Sequence, residues 1–303
     1  MMKRLKKLTA LLTAIGMVAA MSACGSDAAS SAAASSAASA GTEAAPAATE
    51  AAAPAEAGSA AETETAAADG DTYLIGICQL VQHEALDAAT QGFKDALTEK
   101  LGDKVKFDEQ NASGDSANCS TIVNGFLSEN VDLILANATA PLQAAAAATS
   151  EIPVLGTSVT DYATALEISD WTGTVGNNVS GTSDLAPLDQ QAAMIKELFP
   201  DAKKVGLLYC SAEPNSVYQC DTIEGYLKDE GYEVERYAFT DTNDVTSVTQ
   251  TACDNSDVIY IPTDNTAASN TEAIANVVLP AGVPVVAGEE GICKGCGKHY
   301  LCK

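Results

Sequence analysis

The folded part of this chain is written twice, and a repeat of that kind restricts the fold more than any single motif. The first copy opens with the apolar run Tyr73-Leu-Ile-Gly-Ile-Cys-Gln79, continues through a polar loop into a helical pattern around Gly92, Phe93 and Leu97, and reaches a second run, Lys104-Val-Lys-Phe107. The second copy opens with Lys203-Lys-Val-Gly-Leu-Leu-Tyr-Cys210 and repeats the order through Ile223 and Leu227 to Tyr232-Glu-Val-Glu-Arg-Tyr237. Val131–Asn137 and Ile152–Gly156 find counterparts in Asp257–Ile261 and Val283–Gly288. The strand glycines Gly76 and Gly206 keep nearly the same separation as Pro153 and Pro284. Short apolar runs alternating with helical patterns predict parallel sheets covered by helices. The fold class is therefore α/β, with two Rossmann-like parallel-sheet lobes facing a central cleft. The expected boundaries are 71–184 for the N-terminal lobe and 185–297 for the C-terminal lobe.

In open parallel sheets, ligands bind outside the carboxyl ends of the strands. Two such lobes facing each other gather their strand-end loops around one cleft. That rule nominates Gln79 to Glu84, Asn137 to Thr139, Ser158 to Asp161, Ser211 to Ser216, Asp264 to Thr266, and Glu289 with Glu290.

The segment before the repeat predicts location. Lys3, Arg4, Lys6 and Lys7 precede an apolar run from Leu8 to Ala20, then Met21-Ser-Ala-Cys24. The run is shorter than the roughly 20 residues of a spanning helix and has the three parts of a signal peptide, residues 1–23. Small residues before Cys24 resemble the lipobox of bacterial lipoproteins, in which the cysteine carries the lipid anchor. Residues 25–70 contain no Leu, Ile, Val, Met or aromatic residue and cannot bury enough apolar surface to order themselves. They read as a disordered Ala/Ser/Glu tether spanning about 40 Å as a flexible coil. All 41 acidic residues lie beyond the signal, and the net charge is −25. Such a surface excludes nucleic acid as a partner. Contact with the membrane is expected through the lipid alone.

Taken together, the lipobox, tether and two lobes resemble the substrate-binding lipoproteins of ABC importers, with the type I periplasmic-binding-protein fold. Several segments resemble the tryptophan- and tyrosine-binding group within them. These are Ile77-Cys-Gln-Leu-Val-Gln-His83 with Leu86-Asp87, Ala138-Thr-Ala-Pro141, Val159-Thr-Asp161, Asn178-Val-Ser-Gly-Thr-Ser-Asp184, Glu213-Pro-Asn-Ser216, and Pro262-Thr-Asp-Asn-Thr-Ala-Ala-Ser269. The resemblance spans Asp71 to Gly297. It implies a monomeric, extracytoplasmic binding protein that captures a small solute and delivers it to a permease and its ATPase. The first choice of solute is an aromatic amino acid.

A zwitterion needs hydrogen-bond donors for its carboxylate and an acceptor for its ammonium. Helix N-termini supply the donors. Thr139 adds a hydroxyl where a helix begins. Asp264 is the ammonium candidate, with a plain helix cap as the equal alternative. Asp161 and Asn215 can share either role, and Gln79 and His83 line the entrance. Asn137, Thr160, Ser216, Asn265, Thr266 and Glu289 complete the expected site. Tyr162 and Tyr209 are possible walls for the side chain, with core packing favoured for Tyr209. The alternatives are another solute, such as a sugar or nucleoside, or a sensor on the same fold.

The sequence carries no nucleophile elbow, phosphate loop or paired metal-binding histidines, so neither an enzyme nor a resident cofactor is expected. Cys293-Lys-Gly-Cys296, with His299 and Cys302 nearby, is the one pattern with redox or zinc spacing. The tail 298–303 departs from the family, whose members continue with a further strand and helix. It reads as a truncation or frameshift, which predicts exposed apolar edges and poor folding.

Overall fold

The computed structural model describes residues 72–296, all within the compact unit Glu64–Lys303. The signal peptide, Cys24, the tether, His299 and Cys302 lie outside the described residues.

The first half alternates β1 (Tyr73–Gln79), α1 (Glu84–Leu101), β2 (Val105–Asn111), α2 (Ser116–Glu129), β3 (Leu133–Asn137), α3 (Thr139–Ala148), β4 (Val154–Val159), α4 (Tyr162–Ala165) and β5 (Val179–Ser183). The second half holds α5 (Leu188–Leu198), β6 (Lys204–Cys210), α6 (Pro214–Asp229), β7 (Glu233–Phe239), α7 (Val245–Asn255), β8 (Val258–Ile261), α8 (Asn265–Ser269), α9 (Thr271–Ala281), β9 (Val285–Ala287) and α10 (Glu290–Cys296). Every strand pair is parallel, in the orders β2-β1-β3-β4-β5 and β7-β6-β8-β9. The two halves thus share one topology through four strands, as the repeat predicts. Sequence pattern did not mark β5 as a strand. Four of its five residues are exposed, so it lacks the apolar run by which the other strands announce themselves.

Parallel sheets bury both faces, and each sheet here is covered on both sides. Ile75, Ile77 and Leu135 pack under Phe93, Leu97 and Leu101 of α1. Cys78, Ala136 and Val154 pack on the opposite face with Phe126 of α2 and Leu142 of α3. In the second sheet, Leu207 and Tyr260 meet Cys220, Ile223 and Leu227 of α6, while Leu208, Ile259 and Ile261 meet the side of α7 and α9. The helices end on residues suited to a left-handed turn, Asn130 (φ 55°) after α2 and Gly282 (φ 68°) after α9, as helix C-termini commonly do.

Near the C-terminal end, the large apolar side chain left exposed among the described residues is Leu279 of α9, at 47%. Strand β9 pairs on one side only, with β8. Yet Val285, Val286 and Ala287 are all buried: Ile292 and Cys296 of α10 pack with Val285 and Ala287, and Val286 packs on the other face with α5 and α6. No described helix is long and apolar enough to cross a membrane.

The duplicated strand glycine has a packing reason. A Cβ on Gly76 would lie 2.7 Å from the ring of Phe126, itself buried in the core. Gly76→Ala is expected to cost about 2 kcal/mol through overpacking, read as a melting point about 4–8 °C lower. Gly92→Ala, on an exposed helical site with nothing within 4 Å of the added methyl, should leave the melting point unchanged or raise it. Equal effects of the two substitutions would contradict this packing account.

Candidate functional site

The repeat places the first helix of each half after the first strand, and the residue preceding that helix differs between the copies. It is His83 before α1 and Glu213 before α6. Neither side chain caps its own helix. Both instead engage α8, and they meet at Asn265.

Glu213 is buried and gathers five donors. Oε1 accepts from the backbone N–H and the hydroxyl of Thr266, both at 2.7 Å. Oε2 accepts from the Asn265 backbone N–H (3.1 Å), Asn265 Nδ2 (2.7 Å) and Asn215 Nδ2 (3.0 Å). All five donors are neutral, so they spread the negative charge without cancelling it. The other side of the Asn265 amide reaches the N-terminal lobe, where Oδ1 lies 3.2 Å from His83 Nε2.

Asp264 is the N-cap of α8. Its Oδ1 accepts from Ala267 N and its Oδ2 from Cys210 N, each at 2.7 Å. This is the capping role held as the alternative to ammonium binding. Burial, and then the neighbouring Glu213 charge, push its carboxyl from the ordinary 3.8 up to about 7.

The corresponding position in the N-terminal lobe is Ala138, before α3. It has no capping side chain and sits at φ 105°, ψ 171°, a region otherwise left to glycine. Equivalent helix ends in the two lobes therefore differ in sign. One offers uncapped N-terminal dipole, and the other is loaded with two carboxyl groups.

Two cavities flank the His83–Asn265 contact. The first, about 420 Å³, lies between Leu80, Val81, Ser113 to Ser116 and Ala140 on one side and Ala212 to Asn215, Thr240 to Asn243, Asn265 and Thr266 on the other. The second, about 390 Å³, is lined by His83, Leu86, Ser158, Thr160, Asp184, Asn215, Asp264, Asn265 and Glu289, among others. No aromatic side chain lines either cavity. Asp184 keeps an exposed edge, yet the protein packed around its carboxyl, and then the Glu289 charge, raise its pKa.

Of the residues expected from sequence, His83, Thr160, Asn215, Asp264, Asn265, Thr266 and Glu289 do line these cavities. The others stand behind them. Gln79 accepts from the Thr90 hydroxyl (2.6 Å) and donates to Asp87 (2.7 Å), so it braces α1 rather than lining an entrance. Asn137 donates to Leu86 O and Thr90 Oγ1 in the same buried network. Thr139 is buried at the start of α3. Asp161 caps α4 through Thr164 N, and Ser216 is fully buried beside Asp264. Glu289 also accepts from Gly291 N, at the start of α10. Tyr162 and Tyr209 belong to the core and line neither cavity.

Glu213 was inside a nominated loop but was not singled out. The loops after β2 and β7, which wall the first cavity, were missed. The strand-end rule finds both once those strands are given their full length.

The Cys293 and Cys296 pair lies on α10. Burial, and then Cys293, push the Cys296 thiol up to about 12, the reverse of what a reactive thiol needs. No group of three or more potential metal ligands occurs among the described residues.

Asp264 gives the fold a pH signature. Its pKa is higher folded than unfolded, so the native state holds a proton that the unfolded chain releases. This contribution favours the native state below the ordinary carboxylate range and is lost as pH rises through about 7. Asp264→Asn, uncharged throughout, should therefore flatten the decline in melting temperature between about pH 4 and pH 7. An unchanged pH slope would show that Asp264 does not carry it.

Four likenesses to known proteins bear on this site. The model of the family described as ABC transporter substrate binding protein matches residues 74–299. The tyrosine-binding protein of Clostridioides difficile (strain R20291) is 38% identical over 252 residues, covering 80% of this chain and 73% of that protein. A solved ABC domain from Streptococcus pneumonia, in complex with L-Trp, is 31% identical with a TM-score of 0.72, covering 77% of this chain and 79% of the other. A ligand-free, open substrate binding protein with adhesive properties from Clostridium difficile is 36% identical, over 74% of this chain and 76% of that one, with a TM-score of only 0.51. The overall arrangement of this chain thus lies nearer the ligand-bound relative than the open one, although its sequence is nearer the latter.

Proposed function

The chain belongs to the ABC transporter substrate binding protein family, a family of binding proteins rather than enzymes, and from that premise we propose that it captures a free aromatic amino acid between its lobes. The observation that carries this reading is the opposite character of the equivalent helix ends. The uncapped start of α3, beside Ala140 in the first cavity, suits a carboxylate. Glu213, with five neutral donors and an uncancelled charge, suits an ammonium on the facing wall. An α-amino acid carries both groups on one carbon and can span the two. Leu80, Val81 and Pro214 offer apolar surface to its side chain. The ligands of the two relatives, tyrosine by name in one and L-Trp in the other, support an aromatic side chain. Sugar recognition commonly uses stacked rings, and the aromatic-free walls give that alternative no support.

In this reading the lobes run 71–184 and 185–297, and the ligand passes to a membrane permease powered by an ATPase. The protein works outside the cytoplasmic membrane, as a monomer without a cofactor, held by lipid on Cys24 through the tether 24–70. Cys24→Ser should shift it from the membrane fraction into the medium, and unchanged membrane retention would refute the anchor.

The binding test is a melting-point screen against the twenty amino acids. Tyrosine, tryptophan or phenylalanine at a hundredfold excess over Kd should stabilise the protein by about 2.7 kcal/mol. Glu213→Gln should weaken that ligand by about ten- to a hundredfold, since it removes a charged hydrogen-bond partner. No stabilisation by any of the three would overturn the ligand assignment.

A further inference from the structure

Asn265 stands where the two lobes and the two cavities meet, and its amide can be oriented by elimination. A carboxylate oxygen only accepts hydrogen bonds. The atom 2.7 Å from Glu213 Oε2 is therefore the NH₂ group, as placed. The carbonyl Oδ1 is then the atom facing His83 Nε2 at 3.2 Å. That oxygen only accepts, so the imidazole donates from Nε2. The result is a directional chain in which His83 donates to Asn265 and Asn265 donates to Glu213. Its two ends are the residues preceding the first helix of each lobe, at matching positions of the internal repeat.

The other four donors to Glu213 come from the C-terminal lobe itself, from Asn215, Thr266 and the Asn265 backbone. Of all the donors to Glu213, the Asn265 side chain is the one with a hydrogen bond into the N-terminal lobe. When the lobes part, Oδ1 loses its donor and the amide is free to turn away from Glu213. Closing the lobes restores both bonds together. A second contact from the same end of α1, Glu84 to Lys294 at 3.6 Å, joins exposed side chains and is of the kind that adds little.

We infer that Asn265 is a positioning residue that couples lobe closure to the setting of the ammonium-binding carboxylate, with His83 as the latch it closes on. This rests on the amino-acid reading above for the ligand, but the latch itself can be examined without one. Neither His83 nor Asn265 is required to touch the reacting groups of a ligand. Their effect is on how long the closed form lasts.

The test is stopped-flow binding of L-tyrosine and L-tryptophan to the whole protein. It is paired with pulsed-EPR distance distributions between one spin label on each lobe, measured without ligand. His83→Ala should raise koff about tenfold, one hydrogen bond's worth, with kon changed by less than about twofold, because affinity differences reside mainly in dissociation. His83→Gln, whose amide Nε2 donates at a similar reach, should restore most of that loss, which a merely structural defect at position 83 would not allow. Asn265→Asp keeps an acceptor for His83 but sets a carboxylate against Glu213. It should weaken binding at least as much as His83→Ala does and, by adding a carboxylate to a buried acidic cluster, lower the ligand-free melting point as well. An unchanged koff in His83→Ala, no recovery in His83→Gln, or parental affinity in Asn265→Asp would each overturn the inference. If neither amino acid binds the parent protein, the ligand assignment fails and the EPR arm decides alone. A distribution broadened by His83→Ala and narrowed again by His83→Gln supports the latch, and identical distributions refute it.

Discussion

A buried carboxylate must be satisfied by its surroundings, and the arrangement around Glu213 follows from that requirement. Its five donors come from three places in the C-terminal lobe: the start of α6, the first turn of α8 and the side chains along it. Satisfying one group therefore fixes α6 against α8, and both against the end of β8. Asp264 adds a second carboxyl to the same short helix, where Cys210 N and Ala267 N hold it. Burial, and then the charge of nearby Glu213, lift Asp264 out of the ordinary carboxylate range. The C-terminal wall of the cleft is thus rigid and negative.

The N-terminal wall reaches its form by other means. Its corresponding helix has alanine at the cap and a backbone angle foreign to alanine. Behind it, Gln79, Asp87, Thr90 and Asn137 make a buried polar network that holds α1 to the ends of β1 and β3. These residues do for the first lobe what the Glu213 cluster does for the second, but they turn their polar groups inward. The repeat supplies one scaffold twice, and the copies differ in the residues that precede equivalent helices, His83 against Glu213 and Ala138 against Asp264.

Much of this was legible from residue order. Alternating apolar runs separated by helical patterns announce parallel sheets because only that arrangement buries both faces of every strand. Matching glycines and prolines announce the repeat. The strand-end rule nominated loops that line the two cavities, and seven of the residues singled out within them do so. It could not separate Gln79 and Asn137, which brace the wall from behind, from Asn215 and Asn265, which line it. All four are polar residues at the ends of strands or the beginnings of helices. Their roles depend on which neighbour completes their hydrogen bonds, and some of those neighbours are far along the chain, 51 positions for Asn137 and Leu86 and 182 for Asn265 and His83. Strand β5 escaped notice for a similar reason, since it is held by pairing with β4 and not by an apolar run of its own.

By itself, then, the amino-acid order determined the fold class, the duplication, the family and the set of loops from which a site could be built. Those properties follow from periodicity and from local chemistry that each segment carries with it. The tertiary structure decided which of the polar residues in those loops face the cavities. It placed Glu213 at the centre of the C-terminal wall and reduced Asp264 to a cap. It also brought His83 to Asn265 across the gap between lobes. Hydrogen-bond satisfaction is a property of three-dimensional neighbours, and a buried carboxylate takes its donors from wherever folding brings them.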